Sequence, residues 1–340
     1  MINIKSILNN NISIALHTAL TILALSSCSM MHEDMDGCQQ ELKVKFKYDM
    51  NMLFADAFDG QVKDVTLHAY DESGKLIFKK TESVSDINAH GGYMTLDNIK
   101  PGRYSLQVWA EGRKKQENSY NYTTTGNAAN DITRLDCKIN RKTRDVTHDL
   151  TPLYHGLLNN ADLTLDGYGT KTVTVPLTKD TNIIRVVIQN ASGKAISHDD
   201  FKFAIDDDNS WLAFDNTALK EDSVTYHPWS QYDGTATSAD NTTTAVSAVV
   251  AEMTVNRLLV DKSPRLKVYN MHNGKMVFNI PLIDYSLLVK GNYNKEMDSQ
   301  EYLDRQDEYN FIFFVDDNLN WLSAAIYVNS WRVVLHNTDM

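Results

Sequence analysis

The chain has 340 residues, 42% of them hydrophobic, with 33 basic against 44 acidic side chains and a formal net charge of -11. No basic patch, zinc-finger spacing or basic helix accompanies that acidity, so nucleic acid is excluded as an expected partner. The ten histidines never fall at HExxH or HxH spacing, and no G-x-S-x-G, Walker or G-x-G-x-x-G motif occurs, so no enzyme activity, metal or cofactor is expected.

The chain opens with a short segment carrying Lys5, then the apolar run Ile12 to Leu25, then Ser26-Ser27-Cys28. The run is short of the roughly 20 apolar residues that span a bilayer, and His17 interrupts it. It reads as a lipoprotein signal peptide over residues 1–27, with Cys28 the acylated first residue of the mature chain. Each buried acyl methylene contributes about 0.8 kcal/mol, and stable anchoring needs more than one chain. The alternatives are an ordinary signal peptide or a transmembrane helix, with Cys28 incidental in either. Residues 28–41 would be the lipidated tether. About 310 residues then remain, enough for two domains by the prior of roughly 150 each. Cys38 and Cys137 are left as an even pair and a candidate disulfide in an exported protein. A bridge there would close a loop of about 100 residues, which the chain-entropy view values at no more than about 4.7 kcal/mol. Two separate thiols are the alternative.

Beyond the tether the chain reads as all-β. Leu42, Val44, Phe46 and Tyr48 alternate with Lys43, Lys45 and Lys47, giving one core face and one wet face. The same alternation recurs at Val65–Ala69, Tyr104–Val108, Val173–Leu177, Ile184–Ile188, Phe201–Ile205, Leu266–Val268 and Val277–Ile280. Turn chemistry such as Lys100-Pro101-Gly102 and His272-Asn273-Gly274 separates the runs. Short helical turns are predicted at Asp56–Val62 and at Ser299–Asp307, the latter with Ser299 as cap. Even spacing without long helices points to β-sandwiches. The polar stretch between Asn140 and Thr170 predicts a boundary near residue 156, giving sandwiches over 42–156 and 157–340. Gln231 to Thr244 predicts a long surface loop.

Candidate chemistry is sparse. Asp206-Asp207-Asp208 invites a calcium loop, but Trp211 and Thr217 stand where an EF-hand needs Gly and Glu, so a solvated turn is expected. His155 and His227 read as turn residues. Asp304, Asp307 and Glu308 sit beside Arg305 and read as a locally ion-paired segment. The long β-type segment Ala324 to His336 gives a candidate donor strand comprising Ala325, Ile326, Tyr327, Val328, Trp331, Val333, Val334 and Leu335. Such a strand can close its own sheet or be lent to another subunit's open edge.

The segment Tyr48-Asp49-Met50-Asn51-Met52-Leu53-Phe54-Ala55-Asp56-Ala57-Phe58 resembles the first-strand region of the fimbrillin-A-associated anchor proteins, the lipoprotein anchors of type V pili. Pro101-Gly102-Arg103-Tyr104, Tyr154-His155-Gly156 and Lys179-Asp180-Thr181-Asn182-Ile183-Ile184-Arg185-Val186 follow in order. Tyr302–Tyr309, Trp321 and Asn329-Ser330-Trp331-Arg332-Val333 close the series. The resemblance implies two tandem transthyretin-like β-sandwich domains, a place on the outer membrane held by acylated Cys28, a pilus stalk subunit (fimbrillin) as partner, and no enzyme activity. Glu111 departs from the family's frequent Gly in one turn. The acidic residues Glu33, Asp34 and Asp36 stand apart from Cys28 behind Met30-Met31-His32, which weakens their likeness to a surface-export signal.

The resemblance also implies that stalk subunits lose a first strand to an arginine-specific protease. The first arginine here is Arg103, so no such cut falls between Cys28 and Gly102. A base subunit with an unbroken first strand is the expected result. Two rivals are a surface glycan-binding lipoprotein, whose aromatic platform would have to come from Tyr226, Trp229 and Tyr232, and a pilus tip adhesin of similar fold.

Overall fold

The computed structural model describes residues 40–125, 131–219, 223–237, 245–293, 295–323 and 325–334. In chain order the first strands are β1 Gln40–Lys47, β2 Val62–Tyr70, β3 Leu76–Ser83, β4 Met94–Thr95 and β5 Gly102–Gly112. An excursion toward the second half carries β6 Tyr122–Thr125, β7 Asp136–Ile139 and β8 Asp145–Val146. The chain returns as β9 Leu153–Leu163, β10 Gly169–Pro176 and β11 Thr178–Lys179. The second half holds β12 Thr181–Asn190, β13 Phe201–Asp207, β14 Trp211–Leu212, β15 Val224–Tyr226, β16 Ser230–Thr237, β17 Ala245–Asn256, β18 Arg265–Asn270, β19 Met276–Pro281, β20 Glu308–Val315, β21 Ala325–Val328 and β22 Trp331–Val334. Among the described residues the short α-helices are α1 Phe58–Gln61, α2 Val84–Ala89, α3 Leu282–Leu287, α4 Lys290–Tyr293 and α5 Ser299–Arg305.

Two sandwiches result, and the all-β expectation holds. The first stacks a sheet ordered β10-β1-β4 on one ordered β11-β9-β5-β2-β3. Leu42, Val44, Phe46 and Tyr48 point into its core against Leu67, Leu106, Val108 and Tyr154, while the intervening lysines stay outside. The second stacks β16-β17-β12-β20-β21-β22 on β19-β18-β13-β15-β8. Ile184, Val186, Phe311 and Phe313 supply the middle of its core, facing Phe203, Val268 and Phe278. A small sheet, β14-β7-β6, packs through Cys137 and Leu212 on Trp109 and Leu153, on the outer face of β5 and β9.

Four expectations need correction. The boundary near residue 156 falls inside β9, which pairs with β5 from Leu153↔Glu111 to Leu163↔Gly102. The first sandwich's strands run on to Lys179. Asn159-Asn160, within the polar stretch that suggested the boundary, is a β-bulge: the ladder shifts there, and Asn160 has φ +54°. Gly156 lies in β9 at a close approach, because a Cβ there would lie 2.7 Å from Leu177 and 2.8 Å from the Pro176 carbonyl oxygen. The loop expected over 231–244 begins as a strand: β16 pairs with β17 over eight positions as a Thr- and Tyr-bearing edge, and residues 238–244 lie outside the described residues. The segment expected as one strand over 324–336 is a hairpin over its described residues 325–334. Asn329 and Ser330 take φ +47° and +72°, and Val328 pairs with Trp331 across a two-residue loop. The helix at 299–305 is where the sequence put it, but its cap is Asp298, which accepts from the Gln300 and Glu301 amides.

Candidate anchoring and subunit-joining site

Cys28 and Cys38 lie outside the described residues. The described chain starts with β1, which is an interior strand. It pairs in parallel with β10 along all eight of its residues and antiparallel with β4 at Lys43↔Thr95 and Val44↔Met94. Its starting end, Gln40, lies at the pole away from the second sandwich, while Lys47 lies beside Leu177 at the junction. Cys137 is a free, buried thiol, and burial pushes its pKa up. It packs outside the sheet that faces β1 across the core, so about two layer spacings of about 10 Å each separate it from β1. Cys38 is two residues before Gln40, a reach of about 7 Å. A disulfide needs Cα atoms within about 7 Å. The layering therefore favours two separate thiols, and non-reducing peptide mapping should return Cys137 unpaired.

The loop after β1 is built by its own polar side chains. Asp56 accepts from the Tyr48 and Phe58 amides at 3.0 and 3.1 Å, and Asn51 donates to the Tyr48 and Ala55 carbonyls. Arg305, at the end of α5, donates to the carbonyls of Asp49 (2.9 Å) and Asn51 (3.3 Å). The Phe54 ring covers that guanidinium at 4.3 Å. Lys179 meets Asp307 at 2.5 Å. Deeper in the junction, Arg257 grips Asp304 with two bonds of 2.7 Å and donates to the Asn216 carbonyl. Asn216 in turn donates to Asp180 at 2.8 Å. Burial raises the Asp180 carboxyl to about 7, against the pull of Arg257. The expectation that Asp304 and Asp307 pair locally with Arg305 was wrong: both reach across to other elements, and Arg305 pairs with Glu301. The motif residues around Asn51 and Tyr302–Tyr309 were visible in the sequence, but their joining across more than 250 positions was not.

At the other end of the chain, β21 meets β20 at only two register pairs, Phe311↔Val328 and Ile312↔Tyr327. Ile326 and Val328 are nevertheless fully buried in the second core, and Val333 packs against it. Asn329 fixes the hairpin turn: its amide donates to the Asn310 carbonyl and its side-chain oxygen accepts from the Asn310 amide at 2.8 Å. Trp331 is 45% exposed, and β22 is the edge of its sheet. Of the other candidate donor residues, Ala325 and Val334 lie at the two ends of the hairpin, paired with each other, and Leu335 lies outside the described residues.

The remaining candidates form no site. His155 is a buried strand residue, not a turn residue; its Nε2 bonds the Phe214 carbonyl, its ring lies 4.6 Å from Trp109, and burial lowers its pKa to about 4. His227 meets Asp145 at 2.8 Å. Asp206 is bound by Lys267 and Thr225, and no cluster fit to hold a metal is found among the described residues. Tyr226 is buried, Trp229 is bonded to Thr254, and of the three aromatics only Tyr232, at 44%, is well exposed.

The family model for fimbrillin-A-associated anchor proteins Mfa1 and Mfa2 matches residues 35–337. The chain belongs to that family. A candidate adhesin from Bacteroides thetaiotaomicron is 33% identical and superposes with a TM-score of 0.77, over 89% of this chain and 100% of that one. A candidate polysaccharide-binding protein of the same organism is 30% identical, with a TM-score of 0.73 over the same shares. The fimbrial anchor protein Mfa2 from Porphyromonas gingivalis shares the fold at 16% identity, with a TM-score of 0.61 over 88% and 100% of the two chains. No curated protein matches the chain. As an anchor-family protein, this chain is a structural component of the fimbrial and adhesin type, and its family is not a known class of enzyme.

Proposed function

We propose that this chain is the base subunit of a type V pilus, held to the outer membrane by acylated Cys28 and joined to the stalk by β-strand addition through its C-terminal segment. The observation that carries the reading is β1. It is paired on both flanks, fills the first core with three side chains, followed by Tyr48 just past its end, and has no arginine between it and Cys28. A subunit that keeps its first strand stays covalently joined to its tether. At the other end, the weakly paired hairpin at a sheet edge is the part most readily offered to a partner. The glycan-binding reading finds less support, because Tyr226 is buried in the core, Trp229 is partly buried against Thr254, and Tyr232 is left as the one well-exposed ring of the three.

Two variants in the native host test this. Cys28→Ala should lose palmitate labelling and release both the protein and its fibres from the membrane fraction. Deletion of Val328 to Met340 should leave the protein acylated but without attached fibres. Attachment that survives the deletion rules out C-terminal joining.

A further inference from the structure

We infer that β1 and β10 form a shear clamp that carries tension between the tethered end of the chain and the second sandwich. The inference rests on the anchoring reading above, because it needs force applied at the N-terminal side.

The two strands are parallel, in register from Gln40↔Gly169 to Lys47↔Pro176. Both therefore start at the pole away from the second sandwich and finish at the junction. The tether joins β1 at its starting end. The covalent route to the second sandwich leaves β10 at its finishing end, through Leu177 and β11 into β12. Tension thus enters one strand at one pole and leaves its neighbour at the other. The force lies along the strands, so the ladder is sheared as a whole instead of opening one bond at a time.

Three features reinforce this loading. The Leu177 amide donates to the Lys47 carbonyl at 2.8 Å, extending the contact of the two segments past the end of β10. Leu42, Val44 and Phe46 are buried, as is Tyr48 directly after the strand, so sliding β1 along its axis drags these side chains through a packed core. Arg305 holds the Asp49 and Asn51 carbonyls, tying the far end of β1 to the second sandwich and keeping the pull axial. The β4 flank adds only two register pairs and the Leu96 to Leu42 bond, so β10 is the principal load-bearing neighbour. Forced unfolding is governed by the unfolding barrier, and that barrier grows with the contacts that must be lost together.

Single-molecule pulling of the whole non-acylated chain tests the clamp. One handle is attached at position 28, and the second either at the C-terminus or at Tyr168→Cys in a Cys38→Ser background. Tyr168 is 68% exposed and directly precedes β10 at the same pole as Gln40. The second arrangement peels the very ladder that the first one shears. The force releasing the first sandwich, recognised by its length gain, should be at least about twofold higher end to end than in the peeling geometry at equal loading rate. Equal forces would overturn the clamp. If Cys28 is acylated in cells and the forces are equal, the clamp fails alone. If the ratio holds but Cys28 is never acylated, the anchoring reading fails and the mechanical asymmetry stands.

Discussion

In the first sandwich the earliest described strand is interior, whereas in the second the last described strands are peripheral. β1 has a neighbour on each flank and eight register pairs to β10, and β21 has two pairs to β20 with only β22 beyond it. Both segments bury apolar side chains, so burial does not separate them. Ladder length and position in the sheet do. One end of the chain is woven into a core and the other is laid against one, which is what a subunit needs if it is held at one end and joined at the other.

The comparison is most severely tested by truncating a side chain in each segment. Phe46→Ala removes a ring that sits 5.8 Å from Phe58 and should cost about 3–5 kcal/mol in the denaturant unfolding of the first sandwich. Ile326→Ala should instead accelerate amide exchange of the hairpin at a much smaller global cost, because β21 can open locally. Equal global losses would erase the distinction between the two ends. Next in size is the junction. Arg257→Ala strands the Asp304 carboxylate in a largely buried site and should cost about 3 kcal/mol, while the double variant Arg257→Met with Asp304→Leu should recover most of it.

Why these contrasts were only partly legible in the sequence follows from particular residues. Period-two alternation placed β1, β12 and β13 to within three residues at each end, since Leu42, Ile184 and Phe203 had to face a core. Asn159-Asn160 looked like a linker because a β-bulge and a loop use the same residue types. The hairpin was missed because Asn-Ser is a weaker I′ signal than Asn-Gly, and aromatic and branched residues run on both sides of it. Arg305 reaching the carbonyls of Asp49 and Asn51 leaves no local trace, because its partners are backbone atoms 256 and 254 positions away. The proposed acylation site was the reverse case: Cys28 is legible only in the sequence.

The two regions should also respond oppositely to pH. His68 and His155, both in the first sandwich, have pKa values lowered by burial to about 4. Between pH 6.5 and 4 the unfolded chain takes up protons that the fold refuses, so the first sandwich loses stability as pH falls, by up to about 1.4 kcal/mol per pH unit for each histidine. Asp180 at the head of the second sandwich is raised to about 7, so its contribution is present in acid and is lost as pH rises toward 7. Thermal melts followed with one probe in each sandwich should show these opposite slopes, and Asp180→Asn should flatten the second. The smallest expected effect is at the hairpin turn. Ser330→Gly relieves a left-handed serine and should stabilise the hairpin by about 0.5 kcal/mol, seen as slower amide exchange in β21 and β22.

The central claim, a tether joined without a break to an interior first strand, meets its most direct test in the intact mass of the protein extracted from outer membranes. The account predicts a single chain that begins at Cys28, carries acyl groups on that residue and retains β1. A chain that begins after Lys47, or one with an unmodified Cys28, would contradict it.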